Sequence, residues 1–145
     1  MNRIAGVLVA VVIAALAFTA APARAETIGD ADRAAIQSLI TGQIQAFQRD
    51  DGTAAYGFAS PTIHSMFTTP EDFMAMVRSG YQPVYRPRSV AMGPLVDSDV
   101  GPLQKVFLTG PDGKNYVAVY SMQRQPDGSW LINGCSLVAD DSPSI

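Results

Sequence analysis

The hydrophobic period of this chain changes once, at Gly80. Before it, apolar residues recur at steps of three and four: Ile36, Leu39, Ile40, Ile44 and Phe47 make one stripe. Beyond it they recur at steps of two or in unbroken runs, which is the signature of strands. Helices first and neighbouring strands second predict an α+β domain, with N-terminal helices packed on one face of a curved antiparallel sheet.

Local signals divide each half. Asp30 is placed to cap a helix running to about Arg49, and "RDDG" at 49–52 breaks it. A shorter helical stretch follows over Thr53 to Ala59. Ser60-Pro61 supplies an N-cap and a first-turn proline, expected to carry Ile63, Met66 and Phe67 inward. Thr69, Pro70 and Asp72 resemble a capping box. The helix they open is expected over Glu71 to Ser79, burying Phe73, Met76 and Val77, with Gly80 as its stop. About four strands follow: Arg88 to Val96, Gln104 to Thr109, Asn115 to Gln123 and Trp130 to Ala139. The turns "GPDGK" and "QPDGS" separate the last three into a meander.

The last strands read as apolar on both sides. Trp130, Ile132 and Val138 share one parity, and Leu131, Cys135 and Leu137 the other. Helices cover only one face, so the second face needs its own cover. A homodimer through the sheet is the simplest solution; a strongly curled sheet that buries itself is the alternative.

Residues 81–89, "YQPVYRPRS", join the two halves. Each proline fixes its own φ and biases its predecessor toward extended backbone. The stretch is therefore expected to be an extended strap with Tyr81, Pro83, Tyr85 and Pro87 on one side. Such a strap either braces the domain or presents Arg86 and Arg88 beside aromatic planes to a ligand.

The first 25 residues fit a leader peptide: Arg3, an uncharged apolar run over Ile4 to Ala21, then Ala23-Arg24-Ala25. Cleavage would leave one domain at 26–139 and a flexible tail at 140–145, exported to the periplasm or beyond, with no membrane segment. The sequence holds 13 acids against 10 Lys and Arg, and the leader would remove two of the bases. Such an acidic domain is a poor binder of nucleic acid or anionic lipid. Cys135 is the single cysteine, so no internal disulfide forms and the fold rests on its core. Its apolar surroundings mark it as an inert thiol.

Catalytic motifs are sparse. His64 is the one histidine, and no metal-ligand spacing accompanies it. Phosphate-binding and dinucleotide fingerprints and the nucleophile elbow do not occur, so no cofactor or metal is expected. Asp50-Asp51 reads as a solvated turn.

The segments "AFQRDDGTAAYGFASP" (46–61), "FTTPEDFMAMVRSGYQPVYRPRSV" (67–90) and "QPDGSWLINGCSL" (125–137) carry a family likeness. They resemble a bacterial family of small exported proteins with no assigned function. That family in turn resembles the nuclear transport factor 2-like superfamily, a cystatin-like cone. The resemblance implies helices against a curved sheet, often dimeric, often with a pocket at the mouth.

Three functional readings stay open. The first is a non-catalytic binding or accessory protein, taking a small molecule or peptide in a pocket between helices and sheet. Its candidate contacts are Tyr81, Tyr85, Arg86, Arg88, Tyr56, Tyr116 and Tyr120. The second is a cofactor-free acid/base enzyme, isomerase- or hydratase-like. It would use Asp50 or Asp51 with tyrosine donors such as Tyr56, Tyr116 or Tyr120. The third is a structural or interaction protein of the envelope.

Overall fold

The computed structural model describes residues 28–141. The expected leader at 1–25 and most of the tail at 140–145 lie outside the described residues. Five helices precede four strands. The helices are α1 (Asp30–Gln48), α2 (Gly52–Gly57), α3 (Pro61–Met66), α4 (Pro70–Gly80) and α5 (Gln82–Tyr85). The strands are β1 (Ser89–Val96), β2 (Leu103–Thr109), β3 (Asn115–Arg124) and β4 (Trp130–Ala139). They form one antiparallel sheet in the order β1-β2-β3-β4. This is the α+β fold that the change of period predicts.

In α1 the buried residues are Ile36, Ile40, Gln43, Ile44, Ala46 and Phe47, one face at helical spacing. Its cap is Gly29 and not Asp30, which is the first helical residue. There Asp30 and Asp32 complement the positive end of the helix dipole. The other caps fall where the sequence puts them. Ser60 Oγ accepts from the Ile63 amide at 3.4 Å. Thr69 Oγ1 accepts from the Asp72 amide at 3.1 Å, at the head of α4. Phe73, Met74 and Val77 are the buried residues of α4, while Met76 is half-buried. No residue of α3 is fully buried, and Met66 is 68 % exposed, against the expectation that it points inward.

The strap is not extended. Gln82 to Tyr85 make one helical turn, closed by Tyr85 and Val84 amides on the Tyr81 carbonyl, both at 2.9 Å. Pro83 sits in the first turn, where its missing N–H has no partner to lose. The turn buries Pro83, Val84 and Tyr85 together. An extended chain would turn alternate side chains outward, so tertiary burial overrides the steric bias on Gln82.

The facing of β4 also departs from simple alternation. Gly134 pairs with Ser121 and Ile132 with Met122, so Asn133 is an extra, bulged residue. Parity flips across it. Trp130 and Ile132 are buried before the bulge, and Cys135 and Leu137 pack on the same core after it. The helix-facing side of the sheet thus takes apolar residues from both parities of β4. Opposite them lie Val106, Leu108, Ala118, Tyr120 and Met122, against Ile36, Ile40, Phe47, Phe73 and Val77. The other face carries one apolar row, Ala91, Phe107, Val117 and Val138, in register across all four strands.

Candidate functional site

α3 and α4 stand off from the bulged end of β4, and between them lies a cleft of about 360 Å³. Its volume is at the small end of the range of ligand pockets, about 300–1,000 Å³. Helices α3 and α4 give Ile63, Met66, Phe73, Met76 and Val77; Phe67 follows α3. From α1 come Gln43 and Phe47. Tyr120 and the run Ile132 to Cys135 form the sheet side, and Tyr81 and Val84 close the end.

Local chemistry explains why these residues converge. The Asn133-Gly134 bulge turns Cys135 toward the helices. The loop before α3 is tied to the same strand. Ser60 N–H donates to Ile132 O at 2.8 Å, and Ile132 N–H to Phe58 O at 2.9 Å. Ser60 Oγ also donates to Asn133 Oδ1 at 2.8 Å. Tyr56 braces the far wall: its hydroxyl donates to Phe67 O at 2.6 Å, and its ring stacks on His64 with centroids 3.9 Å apart. His64 Nε2 lies 2.8 Å from the Tyr56 carbonyl, so the histidine serves this brace.

Among the described residues, no charged side chain lines the cleft. Its polar groups are few and mostly engaged. Gln43 Nε2 donates to Ala55 O at 3.1 Å, and Tyr81 donates its hydroxyl to Cys135 O at 3.0 Å. Tyr120 is the one whose only side-chain polar atom is left over. It is 1 % exposed, and its hydroxyl bonds to no other described residue. The Cys135 thiol beside it offers at most a weak sulfur hydrogen bond, outside ordinary geometry. Burial, then the nearby Cys135, pushes the Tyr120 phenol well above its ordinary range. Burial likewise pushes the Cys135 thiol up to about 12. Part of Cys135 faces the cleft, yet the sulfur sits in apolar surroundings. Burial, then Cys135, raises Tyr81 too.

Of the seven residues expected to contact a ligand, the cleft brings together Tyr81 and Tyr120. The other five make contacts of their own. Tyr56 forms the brace just described. Tyr85 donates its hydroxyl to Asp50 Oδ1. Arg86 reaches Asp50 Oδ2 at 2.8 Å and the Phe47 carbonyl, and lies 4.0 Å over the Tyr85 ring. Arg88 donates to Pro111 O at 2.7 Å, and Tyr116 to Asp112 Oδ2 at 2.6 Å. Neither arginine stands at the cleft's lip. Gln43 and Asn133 went unread in the sequence. "NG" inside a strand was the available signal for Asn133, because an isolated glycine there marks a bulge.

The carboxylates are elsewhere. Asp51 caps α2, accepting from the Ala54 amide at 3.1 Å. Asp50 borders a separate polar hollow of about 220 Å³ with Thr53, Glu71 and Arg78. Hydrogen bonds from Tyr85 and then Arg86 hold its carboxyl below the usual range. Among the described residues, no three of His, Cys, Asp and Glu come together as a metal site would require.

Neither the curated proteins nor the solved structures give a significant match. A family model does match, over residues 29–145, which takes in the whole sheet, every helix and the cleft. The chain therefore belongs to the family described as Domain of unknown function (DUF4864).

Proposed function

We propose that this protein binds a small molecule, without catalysis, in the cleft between α3, α4 and the bulged end of β4. The observation that carries this reading is the apolar cleft that holds, in Tyr120, a buried hydroxyl with no oxygen or nitrogen partner among the described residues. Buried polar groups are nearly always satisfied, and an unsatisfied one calls for a reason. A bound molecule is such a reason. The acid/base alternative has less support. Among the described residues no carboxylate lines the cleft, and Asp50 is depressed where a general base for neutral pH needs the opposite shift.

The test is the uncharged dye N-phenylnaphthylamine, whose emission rises in apolar surroundings. Saturable enhancement is expected with the native protein and its loss with Met76→Trp, which fills the mouth. Equal enhancement in both proteins, or none in either, would rule the cleft out. We read the protein as exported, on the leader pattern of residues 1–25. Edman sequencing of protein recovered from the periplasm is expected to begin at Glu26.

A second reading concerns the outer sheet face, and its occupant is a second copy of this chain. Phe107 is 40 % and Val138 58 % exposed within the apolar row. None of the four strands holds an aspartate or glutamate, and Lys105 is the single charge on that face. A two-fold axis would set this acid-free patch on itself, with the long Lys105 stem reaching for the rim. Light scattering after gel filtration is expected to give a dimer, and Phe107→Glu a monomer. A native protein monomeric at micromolar concentration would remove this reading.

A further inference from the structure

The electrostatics of the cleft restrict what it can hold, and the two fully buried polar groups left over in it restrict the choice further. Resting on the small-molecule reading above, we propose that the ligand is uncharged and chiefly apolar, and carries one oxygen that accepts a hydrogen bond from Tyr120.

The exclusion of charge rests on the lining. Apolar side chains from α3, α4 and β4 surround the space, and among the described residues no lysine, arginine, histidine, aspartate or glutamate reaches it. An ion entering would shed water and meet no counter-charge, which is strongly unfavourable in a low-dielectric site. The protein's own groups respond to the same surroundings: burial raises both the Cys135 thiol and the Tyr120 phenol, disfavouring their ionised forms. A carboxylate or ammonium ligand would face the same penalty.

The placement of the oxygen rests on which groups remain unspent. The Tyr81 hydroxyl is committed to the Cys135 carbonyl. Ser60 Oγ accepts from the Ile63 amide and so gives its proton to Asn133 Oδ1. Tyr120 forms part of the cleft's sheet side, and its buried hydroxyl, beside the Cys135 thiol, meets no oxygen or nitrogen partner among the described residues. A neutral phenol is a donor, and its natural complement is a carbonyl, ether or hydroxyl oxygen. Gln43 is the second polar group, 3 % exposed, with Nε2 on the Ala55 carbonyl and Oε1 unspent. Oε1 can accept from a ligand hydroxyl but offers nothing to a carboxylate. Both groups therefore suit a ketone, ester or alcohol borne on an apolar body.

Four probes of nearly equal size separate the possibilities: ethylbenzene, acetophenone, phenylacetate and benzylammonium. Affinities at neutral pH follow from ligand-observed NMR titration, with N-phenylnaphthylamine displacement as the second readout. Acetophenone is expected to bind best, and the two ions at least about tenfold more weakly. In Tyr120→Phe, acetophenone should lose about three- to tenfold, the worth of one buried hydrogen bond, and so its advantage over ethylbenzene. Ethylbenzene itself should change by less than about twofold, because the ring wall is preserved. Ions that bind as well as acetophenone would overturn the exclusion of charge. An acetophenone preference that survives Tyr120→Phe would overturn the anchor. Either result, with the dye still displaced, leaves the cleft as a binding site. If neither the dye nor any of the four probes binds, the small-molecule reading falls and this inference with it.

Discussion

Arg86 Nη2 lies 2.8 Å from Asp50 Oδ2, joining two residues 36 positions apart. Asp50 ends α1 in the left-handed region, at φ 53°, which aspartate and asparagine tolerate better than most residues. From there its carboxylate takes the Tyr85 hydroxyl on one oxygen and the Arg86 guanidinium on the other. Arg86 also caps the end of α1 through the Phe47 carbonyl. The arginine of "YRP" is thus a strut between α1 and α5.

Arg86→Ala is therefore expected to destabilise the protein on its own, without any ligand. The exposed ion pair adds little. The hydrogen bond to the Phe47 carbonyl accounts for most of the loss, about 1 kcal/mol. Arg86→Lys should recover only part of it, since an ammonium cannot span the same acceptors with a planar fork. Thermal melts followed by circular dichroism check this, and an Arg86→Ala curve that overlays the native one would return Arg86 to the ligand-facing role.

The same pair predicts a pH dependence. The Asp50 pKa is lowered in the folded state, first by Tyr85 and then by Arg86. A depressed carboxylate contributes stability above its unfolded pKa, and that stability is lost as pH falls through the folded one. Asp50→Asn keeps the backbone preference and removes the charge. It should be less stable than the native protein at neutral pH, and the gap should close as pH falls through the carboxylate range. Parallel urea midpoints across that range would show that Asp50 contributes nothing through its charge.

What was legible in the sequence is what local chemistry decides. Ser60-Pro61 and Thr69-Pro70 announce helix starts because capping involves only neighbours in the chain. The turns at Gly113 and Gly128 are equally local: both glycines have positive φ, and each preceding aspartate accepts from an amide two residues on. β4 was legible to the residue, at Trp130 to Ala139. Its facing was not, because the one bulged residue, Asn133, reverses every side chain beyond it. The helical turn at 82–85 was hidden for a different reason. Proline sterics favour extension there, and only the joint burial of Pro83, Val84 and Tyr85 decides otherwise. The cleft was the least legible feature, since Gln43, Met76, Tyr120 and Cys135 come from four separate elements.

Cys135 permits a chemical test of the cleft's polarity. The thiolate is the reactive form, and burial has pushed this thiol up to about 12. Alkylation by iodoacetamide at mildly basic pH should be at least about tenfold slower in the folded protein than in urea. The rate in the folded state should also keep rising with pH well beyond the range where an ordinary cysteine levels off. A folded-state rate matching that in urea would mean that the sulfur is wet, and the cleft much more polar than its lining suggests.

Tyr120→Phe brings stability and function into opposition. In the ligand-free protein the Tyr120 hydroxyl is buried with no oxygen or nitrogen partner among the described residues, and an unsatisfied group of this kind costs about 1–3 kcal/mol. Replacing the tyrosine with phenylalanine removes that cost and keeps the ring that packs on the core. The expected result is a more stable ligand-free protein, by roughly 1 kcal/mol once the small space left by the oxygen is discounted, and hence a higher melting temperature. Acetophenone should then stabilise the native protein more than the variant, so the two melting curves converge as the ketone is added. A variant that melts lower than the native protein would show that the hydroxyl is already satisfied without ligand. In that case the physical ground for placing a ligand oxygen at Tyr120 would disappear. A gain in stability that ketone addition fails to reverse would separate the unpaired hydroxyl from binding altogether.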